Sequence, residues 1–340
     1  MDHGARTARY GTVRQRLAEL DDRQVGEVAA EVGTAGLGGR TGTVEVGGTP
    51  VFVKRVPLTA PERERSTANV FGLPGCYQYG IGSAGFGAWR ELAAHEATTD
   101  WVLARAYEGF PLMYHWRVVP DTPPTGAMDW AGGLERAVEH WGGDAAVRRR
   151  LEAIESAEHS LVVFLEHWPQ TLGDWLDGHP DRAGGAPHAW AEQEITRGVA
   201  FLRAHGTVHF DAHSGNLLTD GETVCFADFG LMLREDFELS PAEREFFERH
   251  RDYDRYHALG QLVRRQLAGH RPDRQQQTDL LRAWVAGEAG TDRAAMTATA
   301  AGLLDRHART TLAFEEFRQR LLADRRTPFP AEELAATLTA

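Results

Sequence analysis

Two short stretches carry side chains whose types and spacing suit one chemistry. They are 209-HFDAHSGN-216 and 228-DFG-230. Together they supply two carboxylates, Asp211 and Asp228, and one amide, Asn216. A third group stands far upstream in 50-PVFVKRV-56: Lys54 is the only lysine among 37 basic residues. Where arginine serves almost every need for positive charge, a retained lysine points to a site that wants a compact ammonium rather than a planar guanidinium. Phosphoryl transfer from a nucleotide asks for such a set. A carboxylate faces the incoming hydroxyl, oxygen ligands hold Mg²⁺ against the phosphates, and a lysine neutralises phosphate oxygens. Mg²⁺ takes carboxylate and amide oxygens, usually one or two from the protein, with phosphate and water completing its shell.

Side chains so far apart in sequence need elements to bring them together. The run 33-GTAGLGGRTGTVEV-46, the pair Gly47-Gly48 and 50-PVFVKRV-56 read as a hairpin, with β-branched residues on both sides of a two-glycine turn and Lys54 on the second strand. Upstream, the spacing of Val13, Leu17, Leu20, Val25 and Val28 predicts a helix over 12–31. Residues 57–87 read as loop, 88–104 as a helix, 111–120 as a strand closed by proline, and 121–159 as helical pieces broken at Gly142-Gly143. A buried strand at 160–168, a short helix at 171–178 and a stronger helix at 188–205 follow. Two apolar runs then flank a turn at Asp220-Gly221, and 240–340 reads as mostly helical.

Bulk properties exclude several classes. A net charge of −12 with no dense basic tract argues against a nucleic-acid surface. No run of about 18 apolar residues is long enough to span a bilayer, and the N-terminus does not read as a secretory leader. Cys76 and Cys225 fit neither a disulfide framework nor a zinc pattern, so free thiols in a reducing cytoplasm are expected.

On these motifs the sequence resembles the protein-kinase-like phosphotransferase superfamily, over roughly residues 33–265. H-x-D-x-x-x-x-N stands as His209, Asp211 and Asn216, D-F-G as Asp228, Phe229 and Gly230, and V-x-V-K ends at Lys54. The resemblance is to bacterial eukaryotic-like Ser/Thr kinases, with aminoglycoside-phosphotransferase-like features in the catalytic loop. It implies an α+β, bilobal protein-kinase-like fold with a small antiparallel-sheet N-lobe and a mostly helical C-lobe. The expected division is a helical N-terminal extension over 1–30, an N-lobe over 31–167 with insertions at 57–87 and 121–159, and a C-lobe over 168–340. ATP and Mg²⁺ are the implied cosubstrate and metal. Asp211 would accept or orient the hydroxyl proton, Asn216 and Asp228 would bind Mg²⁺, and Lys54 would contact phosphates and pair with a helix glutamate. That glutamate is Glu91 or Glu96, with Glu91 preferred for its R-E-L context. Leu165, Glu166 and Trp168 would meet the adenine, Glu166 to Trp168 through their backbone.

The family's phosphate loop lies between the first two strands, where Gly36, Gly38, Gly39, Gly42 and Val44 give an imperfect match. The better-looking glycine run, Gly80 to Gly87 in YGIGSAGFGAW, follows Lys54 and falls outside that place. Two readings stand for it: a flexible lead-in to the next helix, or a flap closing over substrate.

Departures from the family pattern bear on the acceptor and on regulation. Phe210 replaces the arginine that receives an activation-loop phosphate in regulated kinases, so no such switch is expected. His213 stands where Ser/Thr kinases carry lysine, as in the aminoglycoside and choline phosphotransferase branch. Asp254 resembles the buried aspartate of the family with its register shifted by one. Transfer to a hydroxyl of a protein or peptide is the leading expectation. The alternatives are a small-molecule phosphotransferase and a nucleotide-binding pseudokinase scaffold.

Overall fold

A computed structural model describes residues 3–36, 39–122, 126, 128–179 and 186–338. The chain is mixed α/β and divides into two compact units, Met1–Trp168 with Asp228–Arg244, and Pro169–Ala227 with Glu245–Ala340. Among the described residues, no helix is long and apolar enough to cross a membrane.

The first unit is built on an antiparallel sheet of five strands: β1 Thr34–Gly36, β2 Gly39–Val46, β3 Thr49–Leu58, β4 Met113–Pro120 and β5 His159–Glu166. Their order is β1-β2-β3-β5-β4. Gly47 and Gly48 turn β2 into β3 at φ +58° and +81°, the left-handed geometry that matches strand twist in a two-residue hairpin. The expected hairpin is therefore present, with Lys54 opposite Thr41 on one side and Val163 on the other.

Strand alternation divides β3 between two cores. Val51 and Val53 share one face with Val44, Val162 and Phe164, packed against Val13, Leu17, Val25 and Ala29 of helices α1 His3–Ala18 and α2 Asp22–Ala30. Val56 and Leu58 share the other face with Leu161, Val163 and Leu165, packed on Ala88, Trp89 and Leu92 of α3 Ala88–Leu103. Each buried Val, Leu or Phe among these contributes roughly 1.5–3 kcal/mol relative to exposure. The N-terminal helices are thus part of the first unit's core rather than an appendage to it. Arg6 of α1 adds a buried tie: its Nε lies 2.9 Å from both carboxylate oxygens of Glu166, and its Nη1 donates to Glu108 O at 2.8 Å.

The single helix expected over 12–31 is two helices. Asp21 breaks it, because its side chain accepts from Gln24 N while the Gln24 side chain accepts from Asp21 N, a reciprocal cap that starts α2. The two expected insertions pack on each other. Phe71, Leu73, Tyr77 and Phe86 form one apolar cluster with Val138, Trp141, Val147, Leu151 and Ile154 of α4 Leu134–His140, α5 Ala145–Glu155 and the turn between them. Gly142 and Gly143, both at positive φ, separate α4 from α5 at the expected break.

The second unit holds a small antiparallel sheet, β6 Gln170–Thr171, β8 Leu217–Thr219 and β9 Val224–Phe226, together with the short strand β7 Thr207–Val208. Its helices include α6 Leu172–Gly178, α7 Pro187–Ala204, α9 Tyr253–Ala268, α10 Arg274–Ala286 and α12 Ala298–Ala323. Helix α8 Pro241–Arg249 spans the boundary at Arg244. Helix α9 packs on α7 and α12, and α12 packs on α10.

Histidines with strongly lowered pKa values set an acid limit on stability. Burial lowers His95 to about 3, helped by the nearby Lys54 ammonium, and burial likewise lowers His250 to about 3. A base with a depressed folded pKa stabilises the fold fully above its unfolded value, near 6.5, and loses that contribution as pH falls toward the folded value. By pH 5 each histidine forfeits about 2 kcal/mol. Asp254 acts in the opposite sense: burial raises it to about 7, so acidification through that value returns about 2 kcal/mol over the same interval. The balance is a net loss, and a thermal melt at pH 5 is expected several degrees below one at pH 7. An unchanged Tm across that range would contradict neutral burial of these imidazoles.

Candidate active site

Lys54 projects from β3 on the α3 face of the sheet. Its Nζ is 2.7 Å from Glu91 Oε1 and 2.7 Å from Asp228 Oδ1. Lys54 and Glu91 are buried, whereas the Asp228 side chain is 48% exposed. Burial opposes the ammonium charge, but the two carboxylates outweigh it and hold the Lys54 pKa above its ordinary value. The alternative glutamate, Glu96, lies one and a half turns further along α3 and pairs instead with Arg65 on a partly exposed surface.

Asp228 and Phe229 face in opposite senses because the backbone at Asp228 is left-handed, φ +61°. That conformation is uncommon outside glycine and costs on the order of 1 kcal/mol. It leaves the carboxylate half exposed beside Lys54 and drives Phe229 into the interior, 4.6 Å from the His95 ring and 6.2 Å from Phe110. Gly230 N donates to Asp228 Oδ1 at 3.3 Å, and a Cβ on Gly230 would lie 3.4–3.9 Å from Asp228, Glu91 and Lys54 polar atoms. His95, four residues after Glu91, is the side chain that sequence reasoning missed here. It is completely buried, and its ring nitrogens have no hydrogen-bond partner.

In the second unit, the stretch 209–216 is held by its own side chains. His209 is fully buried, with Nε2 3.0 Å from Ala227 O and Nδ1 accepting from Asp211 N at 3.3 Å. It braces the loop. Asn216 Nδ2 donates to both Asp211 O and Asp211 Oδ2 at 3.1 Å, which fixes the two side chains to each other. His213 is 42% exposed, with Nε2 3.9 Å from Asp211 Oδ2.

Asp254 has a clear place despite its shifted register. It is buried and accepts from His209 N at 2.6 Å and Phe210 N at 2.9 Å. Phe210 is left-handed at φ +65° and fully buried, its ring against Phe246, His250 and Tyr253. Phe210 is an apolar anchor for this stretch.

The proposed nucleotide contacts are placed unevenly. Leu165 shares the Lys54 face of the sheet. Val44 does not: it pairs with Val51, an odd number of residues from Lys54, so it packs toward α1 and α2 on the opposite face. Thr43, opposite Phe52, has the register of the Lys54 face instead. Gly42 lies opposite Val53, and a Cβ there would crowd Val32 at 3.1 Å. Gly36 and Gly39 pair across the β1–β2 turn, and Gly39 at φ +125° lies where a Cβ would meet Arg55 O at 2.1 Å. Gly38 lies outside the described residues. Glu166 N donates to Leu112 O at 2.8 Å and its carboxylate is engaged by Arg6 on the helix side of the sheet. Trp168 is buried under the Arg6 guanidinium, 5.6 Å from its ring centroid.

The glycine run at 80–87 is fastened by hydrogen bonds within the first unit. Ile81 O lies 2.7 Å from His140 Nε2, Ala84 N donates to Tyr77 Oη at 3.1 Å, and Gly85 N to Ser83 Oγ at 3.1 Å. Gly85, at φ +73°, lies against the segment after Asp228: a Cβ there would stand 2.6 Å from Gly230 O. Gly85→Ala is therefore expected to cost about 1–3 kcal/mol through backbone strain and to displace Gly230. The checks are a urea melt and the rate of any nucleotide-dependent reaction, and a wild-type value for both would refute the packing role.

Among the described residues, no group of three or more His, Cys, Asp and Glu side chains is arranged to hold an ion. What the two stretches offer is a half-exposed carboxylate, Asp228, and the Asn216 amide, whose nitrogen is turned to Asp211. Within the first unit, the Asp228 carboxylate is a hard oxygen donor of the kind Mg²⁺ takes together with phosphate and water, and it does not make a fully protein-held metal site. No protein-family model and no curated protein matches the chain.

Proposed function

We propose that this chain is an ATP-dependent phosphotransferase with a bilobal, protein-kinase-like fold that moves the γ-phosphate of ATP to a hydroxyl of a protein or peptide. The observation that carries the proposal is the buried Lys54–Glu91 pair with Asp228 2.7 Å from the same ammonium. A lysine held charged between two carboxylates, one buried and one half exposed, suits the neutralisation of phosphate oxygens. The strand order β1-β2-β3-β5-β4, with α3 behind Lys54, agrees with the smaller lobe of that fold.

In this reading Asp211 orients the acceptor hydroxyl and takes its proton, and the Asn216 amide fixes the carboxylate that does so. Asp228 and Asn216 would hold Mg²⁺, which supplies charge neutralisation at the phosphates when bound. Lys54 orients the phosphates, and Glu91 keeps the ammonium from swinging away. Catalysis rests on positioning and fixed charge rather than on a covalent intermediate.

One observation favours a second reading. His213 stands 3.9 Å from Asp211 in place of a lysine, which suits a small-molecule acceptor as in the aminoglycoside and choline phosphotransferases. Incubation with γ-labelled ATP and Mg²⁺, with cell extract divided into protein and small-molecule fractions, separates the two. Label in protein or peptide, absent with Asp211→Asn, supports the first reading. Label confined to small molecules supports the second. Nucleotide binding with no transfer to either fraction would overturn both in favour of a scaffold.

A further inference from the structure

Helix α3 carries Glu91 as its fourth residue, so the place where α3 begins decides whether that carboxylate reaches Lys54. The helix begins after Gly87, which has no side chain with which to cap it. The cap comes from a residue 26 positions earlier: Ala88 N donates to Glu62 Oε1 at 2.9 Å. Trp89 Nε1 donates to Glu62 O at 2.7 Å, so the first two residues of α3 are both fastened to Glu62. Gly87 at φ +139° permits the approach, since a Cβ there would stand 2.4 Å from Glu62 Oε1.

Glu62 is itself held from two sides. Its Oε2 accepts from Thr59 Oγ1 at 2.5 Å and Thr59 N at 3.2 Å, immediately after β3 ends. The same oxygen is 2.7 Å from Arg150 Nη1 on α5. Glu62 and Arg150 are each 2% exposed, and the Arg150 guanidinium lies over the Phe71 ring. One carboxylate thus joins the end of the Lys54 strand, the start of the Glu91 helix and the inserted helix α5. A buried anion at a helix N-terminus also complements the helix dipole. Such a group resists displacement, because leaving its partner cation buried alone is strongly unfavourable.

We propose that Glu62 is a positioning residue for phosphoryl transfer: it fixes the N-terminus of α3 so that Glu91 meets Lys54, and Arg150 makes the 121–159 insertion part of that device. The inference rests on the phosphotransferase reading, and its test is separable from it. Glu62→Gln keeps the shape but replaces one carboxylate oxygen with an amide NH2, so Ala88 N on one side and Thr59 N with Arg150 on the other compete for a single remaining acceptor. Its kcat is expected to fall roughly tenfold to a hundredfold, the scale of a misplacement of about 1 Å. In a Glu91→Gln background the same change is expected to cost less than about threefold, because the group it positions is already disabled. Equal losses in both backgrounds would mark Glu62 as a general structural residue and overturn the proposal.

Hydrogen exchange supplies an arm that needs no turnover. Amides 88–92 are expected to exchange at least about tenfold faster in Glu62→Gln while α9 and α12 are unchanged. Unchanged exchange at 88–92 would overturn the positioning role even if wild-type protein transfers phosphate. A wild-type chain that transfers nothing would sink the phosphotransferase reading and leave exchange to decide Glu62. If Glu62→Gln does not fold, Glu62→Leu with Arg150→Met removes the buried pair as a unit, a change that often leaves stability intact, and both readouts apply to it.

Discussion

Asp228→Asn is expected to abolish transfer, with kcat down about a thousandfold or more, in a protein that still folds. The folded state tolerates the change because the Asp228 side chain is 48% exposed, and an amide of the same shape fits a half-open position. Lys54 keeps its buried partner Glu91 at 2.7 Å, so the ammonium is not stranded. What disappears is the only half-exposed anion on that ammonium, and with it the oxygen proposed to hold Mg²⁺. Turnover measured against Mg²⁺ concentration is the decisive check: the variant should lose its response to the metal as well as its rate. Wild-type-like turnover with Asp228→Asn would remove the metal assignment outright.

Asp211→Asn is expected to lower kcat by a similar factor while leaving ATP affinity within about twofold, a loss confined to the transition state. The reasoning is geometric. Asn216 Nδ2 donates to both Asp211 O and Asp211 Oδ2, and an asparagine at 211 keeps a carbonyl oxygen able to accept the second bond. The loop is also braced by His209 and by Asp254 beneath it, neither of which touches the substituted oxygen. The substitution removes the negative charge and the basicity of the carboxylate. Nucleotide titration beside single-turnover transfer separates the two quantities. A variant that binds ATP tenfold more weakly and transfers at the normal rate would move Asp211 from proton acceptor to nucleotide contact.

Much of the local structure was legible because it depends on short-range chemistry. The Gly47-Gly48 hairpin, the helix after Gly87 and the break at Gly142-Gly143 each follow from residues that only certain backbone conformations accept. The motif residues were legible for the same reason, since types and spacing define them. The facing of Val44 was not, because it depends on which residue of β3 stands opposite, and a displacement of one reverses every side chain on a strand. The N-terminal helices showed an apolar stripe in the sequence but not what would cover it, and the Asp21 cap that divides them is a competing local bond within that stripe. Asp254 defeated motif counting because its role is defined by two backbone N–H groups that come to it from 209 and 210. Glu62 gave no signal at all. It stands among Arg and Glu residues in 61-PERERS-66, and only tertiary structure distinguishes the carboxylate that is buried from its solvated neighbour Glu64.

The single lysine has a practical use that arises from where it sits. Every side-chain amine of the chain is one atom, Lys54 Nζ, enclosed by Glu91 and Asp228 and only 4% exposed at the residue level. Bulk amine-directed reagents should therefore modify this side-chain amine slowly in the folded chain. If the proposed phosphotransferase reading holds, an acyl-phosphate derivative of a nucleotide, which delivers its electrophile from the phosphate position, should instead tag this one residue. Peptide mapping then has a single site to quantify, without competing background from other lysines. On the proposed phosphotransferase reading, Lys54 would serve as a covalent reporter of nucleotide occupancy.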